Sequence, residues 1–182
     1  GTCIHHVKIL HIMKSITNIQ LRAARQVLNL GVRDITTLLK ISKASVSKAE
    51  LGKTRDFFLK YSSSLLDFFE KNKIVFPSQY MVRFVHHHQP ALLNDDTKSI
   101  TRFQLKGARC LMNTSQQNLA DTMKIGKKII SRAELLDNYK IITPVDPRVI
   151  SILNSVFLEI GMEFPDPYSI YFKKYVDKNF NY

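Results

Sequence analysis

Between residues 14 and 52 the apolar positions fall at helical spacing, and the polar residues between them supply start and stop signals. In KSITNIQLRAARQVLNL, Leu21, Ala24, Val27 and Leu28 recur at a period near 3.6. Thr17 stands three residues before Gln20, the Ser/Thr-x-x-Glu/Gln pattern in which side chain and backbone cap each other. The pattern predicts a helix over 18–29, a second over 32–39 and a third over 43–51. The last two are hinged at Lys40–Ile41–Ser42, and the Ser42 hydroxyl can cap the third. Val46 and Ala49 share the face that packs on Ile35, Leu38 and Leu39. The outer face carries Lys43, Ala44, Ser45, Ser47 and Lys48, small or basic and with no acid among them. A helical region over 55–72 follows, its core supplied by Phe57, Phe58, Tyr61, Leu65, Leu66, Phe68 and Phe69. IVFPSQYMVRFV then sets two β-rich runs around Pro77–Ser78, which predicts a β-hairpin.

The whole pattern returns. Residues 98–136 align with 14–52 without a gap, and sixteen of the thirty-nine positions are identical. The chain is an internal duplication, and the expected organisation has two domains. These are an extension over 1–13, a first unit over 14–85, a linker over 86–97 and a second unit over 98–182. Phe164–Pro165, Tyr168 and Phe172 answer Phe76–Pro77, Tyr80 and Phe84 at an offset of 88, so the second copy also ends in a hairpin. Its four extra residues fall in LLDNYKIITPVDPR, whose two prolines mark a longer loop. The hairpins either close the small cores or form a subunit contact, which makes a homodimer through them a candidate assembly. The twelve linker residues span roughly 40 Å when extended. That reaches across one DNA turn, roughly 34–36 Å.

Charge narrows the function. The net charge is +12 and the pI near 9.8, and the excess is spread over both copies: +8 in residues 14–85 and +5 in 98–182. Such a chain attracts polyanions. No apolar run is long enough to cross a membrane. Cys3 and Cys110 make no disulfide framework and have no Cys partner at metal spacing, so free thiols and a cytoplasmic location are expected, nucleoid-associated if the source is prokaryotic or phage. His86–His87–His88 has no Cys or carboxylate at ligand spacing, and no metal or cofactor is expected. There is no Gly-rich phosphate loop, no paired-His helix motif and no nucleophile signature, so an enzyme is not expected. Glu50 is the only acid on the third helix and sits at its unfavourable C-terminal end. Arg25 and Glu50 recur as Arg109 and Glu134. The expectation is an Arg–Glu clamp from first to third helix in each copy.

QLRAAR followed by ITTLLKISKASVSKAELGKT resembles the phage lambda repressor-like helix-turn-helix family, also known as the xenobiotic-response-element type. QLKGAR with SQQNLADTMKIGKKIISRAE is similar, over about residues 16–76 and 100–164 in all. The resemblance implies a mainly α chain with two tandem five-helix DNA-binding domains, each followed here by a short hairpin. It implies a third helix in the major groove, with base-edge positions on Lys43, Ala44, Ser45 and Lys48 in one copy and Lys127, Lys128, Ile129 and Arg132 in the other. Its phosphate positions fall on Gln116 and Lys53, and it supports both clamps as structural. Lys40 and Lys124 stand at the turn where the family often has glycine, and a lysine there still reaches a phosphate. Copy one has Val32 in place of Gln116, while copy two has Gly126 in place of Ser42 and Leu136 in place of Gly52. The expected function is a sequence-specific double-stranded DNA-binding transcriptional regulator, repressor-like, with two unlike recognition helices. The alternative is an antitoxin-like adaptor that keeps the fold and binds protein, whose mark is an apolar outer face; Ile129 is the one apolar residue there.

Overall fold

Thr17 opens the first helix as its spacing demands. Its hydroxyl accepts from Gln20 N at 3.3 Å, and its own N–H donates to Gln20 Oε1 at 2.9 Å. Thr101 and Gln104 repeat the box at 3.3 and 3.2 Å. The computed structural model describes residues 15–54, 56–87 and 99–180. The expected extension over 1–13 and most of the 86–97 linker, His88 included, lie outside them.

The first copy runs α1 (Asn18–Val27), α2 (Val32–Leu39), α3 (Lys43–Glu50), α4 (Asp56–Lys71), β1 (Ile74–Val75) and β2 (Met81–Phe84). The second runs α5 (Arg102–Leu111), α6 (Gln116–Met123), α7 (Lys127–Ala133), α8 (Arg148–Ile160), β3 (Ser169–Tyr171) and α9 (Lys173–Asn179). The fold is mainly helical with one small antiparallel sheet. Each copy has four helices ahead of its hairpin among the described residues, not the five that the resemblance implies. The reason is local: after α4 the chain reverses through Lys73, at φ 67°, and goes straight into β1. No helix among the described residues is long and apolar enough to cross a membrane.

The two copies are packed on each other. Helix α1 lies against α5, and β2 is the centre of a β1-β2-β3 sheet that draws strands from both copies. Met81 pairs with Tyr171, Val82 with Ile170 and Arg83 with Ser169. The strands expected to join two chains in a homodimer therefore meet inside one chain. Leu21, Phe69, Phe103, Leu105, Phe157 and Phe172 are among the largest fully buried apolar side chains of the shared core. Each stabilises the fold by about 1.5–3 kcal/mol through burial.

Close approach explains two glycines. A Cβ on Gly107 would stand 2.5 Å from Ile170 Cδ1 and 3.6 Å from Val27 Cγ1, so its absence lets α5 settle on both the sheet and α1. Gly161 ends α8 at φ 106°, and a Cβ there would meet the backbone N of Tyr175 at 2.5 Å. Helix α9 can lie on the end of α8 only because that side chain is missing.

Candidate nucleic-acid interface

In each copy the second and third helices are joined by a three-residue turn. Lys40 and Lys124 close α2 and α6 in the left-handed conformation, at φ 55° and 54°. A side chain there costs about 1 kcal/mol relative to glycine. Both copies carry a strained and exposed lysine at the same place. Ser42 then caps α3, accepting from Ser45 N at 3.2 Å, and its hydroxyl meets Ser45 Oγ at 2.9 Å. Gly126 opens α7 with no side-chain cap.

The solvent-facing side of α3 presents Lys43, Ala44 and Lys48 as exposed and Ser45 as half-buried. Helix α7 presents Lys127, Lys128 and Arg132 as exposed. Ile129 is half-buried and packs against the core, so less of it faces outward than its position suggested. Lys53 is exposed, and its backbone N–H closes the end of α3 on Lys48 O at 3.0 Å. Gln116 is half-buried and donates to Glu134 Oε1 at 3.2 Å, which turns its amide toward the Arg109–Glu134 pair.

Both third helices hang from bidentate ion pairs. Arg25 Nε and Nη2 reach Glu50 at 2.6 and 3.0 Å, and its Nη1 donates to Leu30 O at 2.8 Å. Arg109 Nε and Nη2 reach Glu134 at 2.7 and 2.6 Å, with Nη1 on Thr114 O at 2.9 Å. One guanidinium therefore ties the first helix to the end of the third and to the loop before the second. The carboxylates are nearly out of solvent, with side-chain exposures of 8% for Glu50 and 3% for Glu134.

Two buried arginines, and second contacts of the capping glutamines Gln20 and Gln104, are not foreshadowed by the sequence pattern. Arg22 donates from Nε to Cys110 O at 2.8 Å, from Nη2 to Leu111 O at 2.7 Å and from Nη1 to Glu50 O at 3.2 Å. Arg102 donates from Nη1 to Val27 O and from Nη2 to Asn29 Oδ1, both at 2.6 Å, and from Nε to Glu134 O at 3.1 Å. Each arginine caps the carbonyl end of the opposite first helix and the end of its own copy's third helix. A cation suits those ends. Burial pushes both guanidinium groups below their ordinary value, and the charges of Glu50 and Glu134 partly offset it. Gln20 and Gln104 have second roles. Gln20 Nε2 donates to Ser78 O and Met81 O at 2.8 and 3.0 Å, and Gln104 Nε2 to Asp166 O and Ser169 O at 2.6 and 3.2 Å. Each binds its copy's hairpin turn to the helix it caps. One signal points to them: α1 and α5 carry buried side chains around most of their circumference, which marks helices enclosed by protein on several sides.

Among the described residues, Cys110 and His86 are held in packed surroundings. Burial pushes the Cys110 thiol up from its ordinary value, against the pull of Arg109, and its Sγ lies 3.0 Å from Gln26 Oε1. His86 stacks on Tyr168, with ring centroids 5.6 Å apart, and meets Tyr139 edge-on at 4.7 Å. No group of three or more His, Cys, Asp or Glu side chains among the described residues could hold a metal ion. No family model, curated protein or solved structure matches the chain.

Proposed function

We propose that the chain is a sequence-specific double-stranded DNA-binding regulator, repressor-like and cytoplasmic, made of two lambda repressor-like units that read bases through α3 and α7. The observation that carries the reading is the duplicated helix–turn–helix. It has basic, solvent-facing third helices fixed by matching clamps, with an exposed lysine held at strained φ in each turn. Exposed lysines and arginines neutralise phosphates and release counterions. Lys43, Lys48, Lys127, Lys128 and Arg132 offer donors for guanine O6 and N7, and Ala44 offers a methyl for thymine.

The test is a gel-shift series with duplex DNA across salt concentrations. Binding is expected to weaken steeply with salt. Replacing Lys127, Lys128 and Arg132 together by Gln lowers the log–log slope by about one for each phosphate no longer neutralised. A chain that binds no duplex at low salt ends this reading. The antitoxin-like adaptor then gains weight, since Leu135, just past α7, is 86% exposed.

The turn lysines give a sharper measurement. Lys40→Gly is expected to raise stability by up to about 1 kcal/mol, because glycine relieves the left-handed strain. It is also expected to weaken duplex binding, because the ammonium that meets a phosphate goes with the side chain. Urea unfolding and gel shift on one variant read both. Unchanged affinity would remove Lys40 from the interface.

A further inference from the structure

The contacts between the copies are related by exchange. The first helices correspond at an offset of 84 and the hairpins at 88. Val82 pairs with Ile170, its own counterpart, and the flanking pairs Met81–Tyr171 and Arg83–Ser169 become one another when the copies are swapped. Phe84 N donates to Tyr168 O at 2.8 Å, and the swapped bond, Phe172 N to Tyr80 O, is 2.9 Å. On the helices, Cys110 touches its counterpart Gln26. Leu111 O and Val27 O, also counterparts, each receive an arginine from the opposite first helix. A contact in which residues meet their own equivalents is isologous, the hallmark of a two-fold axis. The axis runs through Val82–Ile170 in the sheet and Gln26–Cys110 in the helices.

At the helical end of that axis lies an open cleft lined by Arg25, Gln26, Asn29, Gly31, Lys106 and Arg109. On α5, Gly107 turns toward Ile170 of the sheet, and helical spacing carries Lys106 and Arg109 well away from it. Arg25 and Arg109 line this one cleft and hold the ends of α3 and α7. Both third helices are therefore suspended from the same end of the axis, one on each side.

Resting on the proposed function, we infer that one chain acts as a covalently joined pseudo-dimer on an inverted DNA site with two unlike half-sites at fixed spacing. The orientation follows from the two-fold relation, since a direct repeat needs two heads related by translation. The half-sites differ because Lys43, Ala44, Ser45 and Lys48 face one and Lys127, Lys128, Ile129 and Arg132 the other. The spacing is set by the α1–α5 and β2–β3 contacts, so the length of the connection over 88–98 does not govern it.

The test is selection of bound duplexes from a random pool by the full chain, and by a full chain carrying about ten added Gly and Ser residues within 88–98. Both are expected to return the same two unlike half-sites, inverted and equally spaced, in complexes of one chain per duplex by analytical ultracentrifugation. Inserting a few base pairs between the half-sites is expected to lower affinity about a hundredfold or more, toward that of one half-site. Half-sites in direct orientation, a spacing that shifts with the added residues, or two chains per site overturns the inference and leaves DNA binding standing. If no duplex is retained, the functional reading falls and takes the inference with it.

Discussion

Arg102→Met is expected to destabilise the protein by about 2–5 kcal/mol, through the buried acceptors it leaves without a donor. Arg102 is 1% exposed and among the largest fully buried side chains of the chain. Methionine keeps the apolar stem but ends about where the guanidinium begins, so what is lost is the head and the hydrogen bonds it makes. Glu134 O and Asn138 Oδ1 lose their donor, Val27 O keeps only Asn138 Nδ2 at 3.0 Å, and Asn29 Oδ1, on an exposed residue, keeps Lys106 Nζ at 2.8 Å. Each acceptor left unsatisfied in the interior costs about 1–3 kcal/mol. Total stability for such a chain is about 5–15 kcal/mol, so the variant keeps a fold but with a much lower urea midpoint. Arg148→Met is the control: its ion pair with Asp146 is held in solvent, with Arg148 85% exposed, and its midpoint is expected to stay put. Equal midpoints for the two variants would show that Arg102 does not hold the copies together.

The contrast between these two arginines marks the boundary of what the sequence discloses. Helix periodicity, the Thr17–Gln20 box, the Ser42 cap and the turn at Pro77–Ser78 are local signals, and the elements formed follow them within a few residues. The duplication also locates Arg25 with Glu50 and Arg109 with Glu134, which the fold brings into contact. Arg22 and Arg102 do not share a repeat position. Counterparts of these residues are Lys106 and Asn18, so alignment of the copies hides their common role. Their acceptors are backbone carbonyls, which carry no residue-type signature. Their main partners lie 75 to 89 residues away. The β2–β3 pairing is illegible for a similar reason. Alternation predicts a strand and its faces, but the choice of neighbour depends on the whole fold. Helix α9 lies past the hairpin that the repeat predicts, where nearly all the corresponding positions of copy one belong to the linker, and its seat on Gly161 needs the end of α8 already in place.

The clamp deletions give the second large effect, and the two copies are expected to differ. Glu134→Ala leaves the Arg109 guanidinium, 11% exposed, without its counter-charge, and strips Gln116 Nε2 of its acceptor as well. Removing one partner of a buried pair costs about 3–5 kcal/mol. Glu50→Ala removes the same bidentate partner from Arg25, but Val32 stands where copy two has Gln116, so one hydrogen bond fewer is broken. A hydrogen bond is worth about 1 kcal/mol net, and by that margin Glu134→Ala is expected to be the worse variant. Replacing both partners, as Arg109→Met with Glu134→Leu, is expected to recover much of the loss, because no uncompensated charge then remains inside. Recovery stops short of the parent, since Thr114 O still lacks the donor that Arg109 Nη1 supplied. Urea unfolding of the single and double variants reads all of this in one series. A double variant no more stable than Glu134→Ala would mean that the pair holds α7 in place by geometry that apolar packing cannot reproduce.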